Sequence, residues 1–332
     1  MSAEKLYNAR EAVCGLIGID APERVVFTLN ATYALNMAIK TTVESGSHIL
    51  ISDLEHNSVL RPVYKLSRTD GVSFSVFCSG ACSLEDEIER HITKSTRAIV
   101  STLGSNVTGR TIPLSLLSRI RKRHNLKLIV DASQVIGHEV IDLKRTPVDV
   151  LCAPGHKALF GIAGIGFAVF LDRVARESFI EGGSGIDSLN PLMPEENPEH
   201  FEAGTLPIPA AVSLLEGINY INSVGISEIK SRLDSYLELC RARIESIKGA
   251  DLFSEGLGII SFKIDDIPSS VVAYELDRAG IYTRSGLHCA PLVHETLGTV
   301  KQGLVRISLS YLNHAEDADK LYTALSEIRK KY

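Results

Sequence analysis

The chain has 332 residues, of which 45% are hydrophobic and 23% charged, with a net charge of −5. That is the balance of an ordinary soluble globular protein, long enough for one large domain and a smaller one. The negative charge gives no footing for nucleic acid, the apolar run Gly161 to Leu171 is too short to span a membrane, and the charged start Met1 to Lys5 lacks the apolar core of a secretory signal. The six cysteines, Cys14, Cys78, Cys82, Cys152, Cys240 and Cys289, are scattered, which suits reduced thiols in the cytoplasm better than a disulfide framework.

In chain order, Leu6 to Ile17 is apolar at helical spacing, Val25 to Thr28 reads as a strand and Thr32 to Val43 as a helix. His48 to Ser52 is a strand, Leu60 to Leu66 a helix, and Val72 to Phe77 and Ala98 to Leu103 are further strands. Leu114 to His124 is a helix leading into the strand Leu126 to Val130, which ends in Asp131; Val148 to Cys152 and Gly166 to Leu171 complete the series. Strands alternating with helices predict an α/β domain with a mostly parallel sheet, whose ligands sit beyond the carboxyl ends of the strands. Gly182 to Pro209 is a Gly-, Pro- and Asn-rich loop. Helices Pro209 to Ser223 and Ile226 to Ser246 follow. A smaller α/β unit ends the chain: strand Gly258 to Ile264, helix Ser269 to Ala279, strands Tyr282 to Arg284 and Leu304 to Ser308, and helix Ala315 to Lys330.

Chemistry-bearing residues cluster at those strand ends. Lys157, in Ala153-Pro154-Gly155-His156-Lys157, follows one strand, and Asp131 ends the strand before it, with Gln134 close behind. A lysine amine can hold the aldehyde of pyridoxal phosphate as a Schiff base, and a carboxylate can keep its pyridine nitrogen protonated. Either residue alone reads more simply as a surface lysine or a capping aspartate. Asn30-Ala31-Thr32 opens a helix, where N–H groups and a hydroxyl suit a phosphate, or equally a plain cap. His56, in Glu55-His56-Asn57-Ser58, is placed to lie on a cofactor ring and shuttle protons, or to sit in solvent on a capped loop. Asn106, in Ser105-Asn106-Val107, can donate to a cofactor oxygen or a substrate carboxylate, or simply make a turn. Arg284 to Pro291 places Cys289 among polar neighbours and flexible Gly286, which suits a nucleophilic thiol on a moving loop better than a buried one. A zinc site on His288, Cys289 and His294 fits no common ligand spacing, so no metal is expected. Arg306 interrupts an apolar strand and needs an anion, either a substrate carboxylate or an internal acid. The glycines of Gly161 to Gly166 precede a strand, so they do not form a dinucleotide fingerprint.

Taken in order, these segments, with Glu202-Ala203-Gly204-Thr205 and Asn313, resemble class V aminotransferase-type enzymes along nearly the whole chain, specifically the cysteine desulfurase and selenocysteine lyase group. The resemblance implies a pyridoxal phosphate enzyme of fold type I working as a homodimer. It implies a large cofactor domain over 1–210 and a small α/β domain over 211–332 that carries the cysteine loop. By the same resemblance Lys157 carries the cofactor, Asp131 pairs with the pyridine nitrogen, Gln134 reaches the phenolic oxygen, and His56 stacks on the ring; Asn106 is counted among the cofactor-binding residues. Ala31, Thr32 and His156 hold the phosphate, and Thr205 reaches the partner subunit's phosphate. Arg306, with Arg284 and Asn106, holds the carboxylate of L-cysteine, while Cys289 takes the sulfur as a persulfide and passes it to an acceptor protein, as in iron–sulfur cluster assembly.

The chain departs from that pattern in places. Pro154 stands where a phosphate-binding serine is usual, Tyr33 where a glutamate is common, and Pro207 where an asparagine is common. Family members usually carry a longer start that contributes near the substrate. A selenocysteine lyase, a C–S lyase, an aminotransferase or a non-catalytic truncated paralogue are therefore alternative expectations.

Overall fold

A computed structural model of the protein describes residues 2–171 and 177–332. By compactness the chain forms two units. The first comprises the residues up to Leu103 with Ile112–Ile226; the second comprises Gly104–Thr111 with Ser227–Tyr332.

The first unit is built on a seven-stranded sheet. Its strands are β1 (Val25–Thr28), β2 (His48–Ser52), β3 (Ser73–Phe77), β4 (Thr96–Thr102), β5 (Lys127–Asp131), β6 (Val150–Pro154) and β7 (Gly166–Phe170), in the order β1-β7-β6-β5-β4-β2-β3. Strands β6, β5, β4, β2 and β3 run parallel, and only β7 is reversed, pairing antiparallel with β6 and β1. The mostly parallel sheet expected from the alternating pattern is therefore present. Strands β1, β2, β6 and β7 are buried along their whole length, as their unbroken apolar runs require of a sheet covered on both faces. Helices α1 (Ser2–Leu16), α2 (Ala31–Thr42), α3 (Asn57–Thr69), α4 (Leu84–Glu89), α5 (Leu114–His124) and α6 (Ile208–Val224) belong to this unit.

Helix α6 packs against α1, and by compactness the first unit runs on to Ile226. The buried Glu202 explains how the irregular stretch before α6 is fastened. Its two oxygens accept from the Phe27 N–H and the Arg10 guanidinium, both at 2.6 Å. Burial raises the pKa of Glu202, and Arg10 opposes that rise.

In the second unit β8 (Ala250–Gly256), β9 (Ile259–Ile264), β10 (Arg284–Gly286) and β11 (Leu304–Ser308) form an antiparallel sheet in the order β10-β11-β9-β8. Helices α7 (Ile226–Glu245), α8 (Ser269–Arg278), α9 (Pro291–Thr296) and α10 (Ala315–Lys331) accompany it. Ile244, Phe262, Val272, Leu276, Val305 and Leu325 lie at the centre of its core. The loop 104–111 belongs here because its backbone is tied to this sheet. The Ser261 hydroxyl donates to Val107 O at 2.6 Å, and Glu255 N–H donates to Thr108 O at 2.7 Å. Gly109, at φ +74°, lies so close that a Cβ would sit 1.9 Å from Gly256 O, so only glycine fits.

Candidate active site

In the first unit β1, β2, β5 and β6 carry their candidate residues at the same end of the sheet. Asp131 terminates β5, four-hundredths exposed, with Oδ1 accepting from Ser133 N–H at 2.8 Å. Among the described residues it forms no salt bridge, so a buried acid is left without a cation. A carboxylate in that setting suits a cationic partner, such as a protonated ring nitrogen. Next to it, Cys152 on β6 is in register with Asp131 and has its thiol pKa pushed well up, by burial first and by the Asp131 charge second.

The turn after β6 carries Lys157. Gly155 N–H donates to Ile165 O, Gly161 N–H to Gly155 O, both at 2.9 Å, and Phe160 N–H to Lys157 O at 3.0 Å. This hydrogen-bonded turn holds His156 and Lys157 on the exposed side, with the His156 pKa lowered by partial burial and then by Lys157. Pro154 closes β6 opposite Gly166 and brings no N–H. Gly166 lets the chain pass under α2: a Cβ there would lie 2.7 Å from Asn30 C and 3.0 Å from Ala153 O.

Asn30 caps α2, its Oδ1 accepting from Tyr33 N–H at 3.0 Å, which leaves Ala31 and Thr32 in the first turn where helix N–H groups face an anion. The Thr32 hydroxyl is 2.8 Å from the Ser58 hydroxyl, and Ser58 is bonded to His56, the cap of α3. Gln134 is half-buried just beyond Asp131, and Thr205 lies exposed in the loop before α6. Lys157, His56, Asp131, Gln134, Thr32 and His156 thus all lie at or just beyond the carboxyl ends of strands of one sheet.

Glu55 is a residue whose role the motif reading passes over. It is fully buried. Its Oε1 accepts from the Ser52 hydroxyl, from Ser52 N–H at 3.4 Å and from Thr102 N–H at 2.9 Å, while Oε2 has no partner. It thereby clips the His56 turn across the ends of β2 and β4. Burial raises its carboxyl to about 8, with the charge of Asp131 adding to the rise, so Glu55 is neutral at pH 7. An acid in the short loop between β2 and α3, directly preceding His56, is the signal that marks it in the sequence.

The second unit gathers the remaining candidates. Arg284 on β10 stands directly opposite Arg306 on β11, two like charges facing across an antiparallel pair. The Arg284 Nη2 donates to Cys289 Sγ at 3.9 Å. Arg306 donates through Nη1 to Asn106 O at 2.9 Å, but its Nε is buried with no partner and it forms no salt bridge among the described residues. Burial lowers its pKa, Arg284 lowers it further and Cys289 works the other way. An internal acid for Arg306 is thus absent from the described residues, and the cluster is built for an anion. The Asn106 side chain donates to His288 O at 2.8 Å, which places Asn106 as a brace of the cysteine loop.

That loop is strained. His288 and Cys289 have φ of +51° and +61°, consecutive left-handed conformations in non-glycine residues, costing about 1–3 kcal/mol each. His288 is buried, donates through Nε2 to Leu304 O at 3.1 Å and has no partner at Nδ1. Burial, then Arg306, pushes its pKa down to about 3. His294 is also buried, 5.7 Å from His288 ring to ring. No group of three or more His, Cys, Asp or Glu side chains among the described residues could hold a metal ion.

This arrangement, a lysine and an unpaired aspartate at the strand ends of a mostly parallel sheet, defines the class of a pyridoxal phosphate enzyme. The model of the family described as aminotransferase class-V matches residues 1–321, and the chain belongs to that family. It is 33% identical to a probable cysteine desulfurase of Methanothermobacter thermautotrophicus, over 98% of this chain and 84% of that protein. It is 27% identical to a cysteine desulfurase of Escherichia coli, over 99% of this chain and 84% of the relative. The structure of an apo cysteine desulfurase from Thermococcus onnurineus superposes with a TM-score of 0.92 at 27% identity, covering all of this chain and 85% of that one.

Proposed function

We propose that the protein is a pyridoxal phosphate-dependent cysteine desulfurase that converts L-cysteine to L-alanine and leaves the sulfur as a persulfide on Cys289. The observation that carries the reading is the convergence of Arg284 and Arg306 on Cys289, two cations with no acid among the described residues beside one accessible thiol. The kinship with cysteine desulfurases at 27–33% identity supports the same activity.

The fit to the cofactor rests on Asp131, a buried acid without a cation, and on the lysine-bearing turn after β6. Lys157 would hold the aldehyde, Asp131 the pyridine nitrogen, Gln134 a ring oxygen, and the first turn of α2 with His156 the phosphate. When bound, the cofactor withdraws electrons from the substrate's α-carbon. Lys157 Nζ would take the α-proton, and His56 would lie against the ring and handle protons. Arg306 orients the substrate carboxylate through charge-assisted bonds that no acid of the described chain competes for. The Cys289 thiolate attacks the substrate sulfur; the S–S bond forms as the carbon–sulfur bond breaks, and the carbon fragment leaves as alanine once reprotonated. Cysteine plus enzyme thiol thus gives alanine plus enzyme persulfide, with no external oxidant.

The protein is further proposed to act as a homodimer in the cytoplasm, delivering sulfur to an acceptor protein for uses such as iron–sulfur cluster assembly. Leu189 and Leu192, 99% and 76% exposed in the loop that precedes Thr205, support a partner surface there. The six free cysteines support a reducing compartment. Among the described residues no helix is long and apolar enough to cross a membrane.

The test is mass spectrometry of the protein after exposure to L-cysteine without reductant. The peptide carrying Cys289 gains one sulfur atom in the wild type. An unmodified Cys289 peptide in a protein that has taken up cofactor would refute the assignment.

A further inference from the structure

The polarity of the hydrogen-bond chain from Thr32 to His56 follows from one fixed donor. Ser58 N–H donates to His56 Nδ1 at 3.0 Å. A backbone N–H can only donate, so Nδ1 carries no proton and the neutral ring holds its proton on Nε2. The Ser58 hydroxyl lies 2.7 Å from the same Nδ1, and facing a bare nitrogen it too must donate. Having spent its proton there, Ser58 can only accept from Thr32, whose hydroxyl lies 2.8 Å away. The order is therefore Thr32 O–H to Ser58 O–H to His56 Nδ1. The Thr32 hydroxyl proton, expected from the motif to serve a phosphate, is directed at Ser58 instead.

We propose that Ser58 is a positioning residue that links the first turn of α2 to His56 and holds the imidazole as the Nε2–H tautomer, so that any proton the ring passes travels by way of Nε2. The inference rests on the reading of His56 as the ring-facing, proton-handling residue. It goes beyond that reading because Ser58 appears in no expected set of site residues. It also assigns the anion-holding role of α2 to the backbone N–H groups of Ala31 and Thr32.

The test is a nitrogen NMR spectrum of the full chain labelled with 15N-histidine, with the His56 signals identified by their loss in His56→Gln. The wild type is expected to show His56 with a protonated Nε2 and an unprotonated Nδ1. Ser58→Ala, which keeps the backbone donor but removes the hydroxyl, is expected to shift the tautomer ratio about five-fold toward Nδ1–H, the equivalent of one neutral hydrogen bond. Ser58→Thr should restore the wild-type ratio. A wild-type proton on Nδ1, or a ratio unchanged in Ser58→Ala, would overturn the proposal. The readout needs no turnover, so it fails or holds independently of the desulfurase activity.

Discussion

Replacing Glu55 with glutamine should make the protein's stability less sensitive to alkali. Folded Glu55 keeps its proton up to about pH 8, because burial first and the Asp131 charge second oppose ionisation. In the unfolded chain the same carboxyl ionises near its ordinary value of 4.5. Between those values the folded protein holds one more proton than the unfolded one, so the contribution is full below pH 4.5 and is lost as pH rises to about 8. At about 1.4 kcal/mol per pH unit the ceiling is roughly 5 kcal/mol, and relaxation around a buried charge brings the observable change to roughly 2–4 kcal/mol. Glutamine keeps the shape and an acceptor oxygen for Ser52 and Thr102 but cannot ionise. Urea unfolding of the cofactor-free wild type and Glu55→Gln from pH 5 to 9 measures the effect. The stability difference should move toward the variant up to about pH 8 and then level off. Parallel curves, or a difference moving toward the wild type, would mean that Glu55 is ionised in the fold and that the reasoning is wrong.

His288 carries the opposite sign. Its folded pKa of about 3 lies below the ordinary 6.5, so its contribution is full above 6.5 and is lost as pH falls toward 3. Acid unfolding of the wild type should cost roughly 3 kcal/mol more than that of His288→Asn between pH 7 and 4, read from the pH dependence of urea midpoints. Arg306→Lys keeps a charge but loses the planar fork, and should raise the KM for L-cysteine roughly 30- to 100-fold, with cofactor uptake unchanged in an absorption titration. Gly166→Ala drives a Cβ toward the Asn30 backbone, where 2.7 Å separates them, and should cost about 1–3 kcal/mol in urea unfolding while weakening cofactor uptake through the displaced start of α2.

The first unit was largely legible because its strands are unbroken apolar runs bounded by polar turns. Val25–Thr28, His48–Ser52 and Leu114–His124 coincide with the observed elements. Helix α3 extends from Asn57 to Thr69, well beyond the apolar stretch Leu60–Leu66, because the His56 cap and the polar outer face carry no hydrophobic signal. The edge strand β8 was not legible: Ala250–Gly256 is only half-buried, and its place depends on pairing with β9. At the site, residue types marked Lys157, Asp131 and Cys289, since a lysine or acid at a strand end is visible in one dimension. The arginine pair was not visible as a pair, because its meaning lies in the register that sets Arg284 opposite Arg306, twenty-odd positions apart. Ser58 and Glu55 were missed for a related reason. Their importance lies in which atoms donate and accept, and a serine or glutamate letter does not show that. That α6 groups with the first unit was not legible either, because it rests on packing against α1, a contact across a long sequence interval.

The central claim is that Cys289 removes sulfur from L-cysteine while the first unit supplies the cofactor chemistry. The direct measurement is the product balance of purified protein loaded with pyridoxal phosphate and given L-cysteine with a thiol reductant. The wild type should yield alanine and sulfide in equal amounts, and Cys289→Ala should retain the yellow cofactor band while yielding neither. Pyruvate and ammonia in place of alanine, or alanine output undiminished in Cys289→Ala, would contradict it.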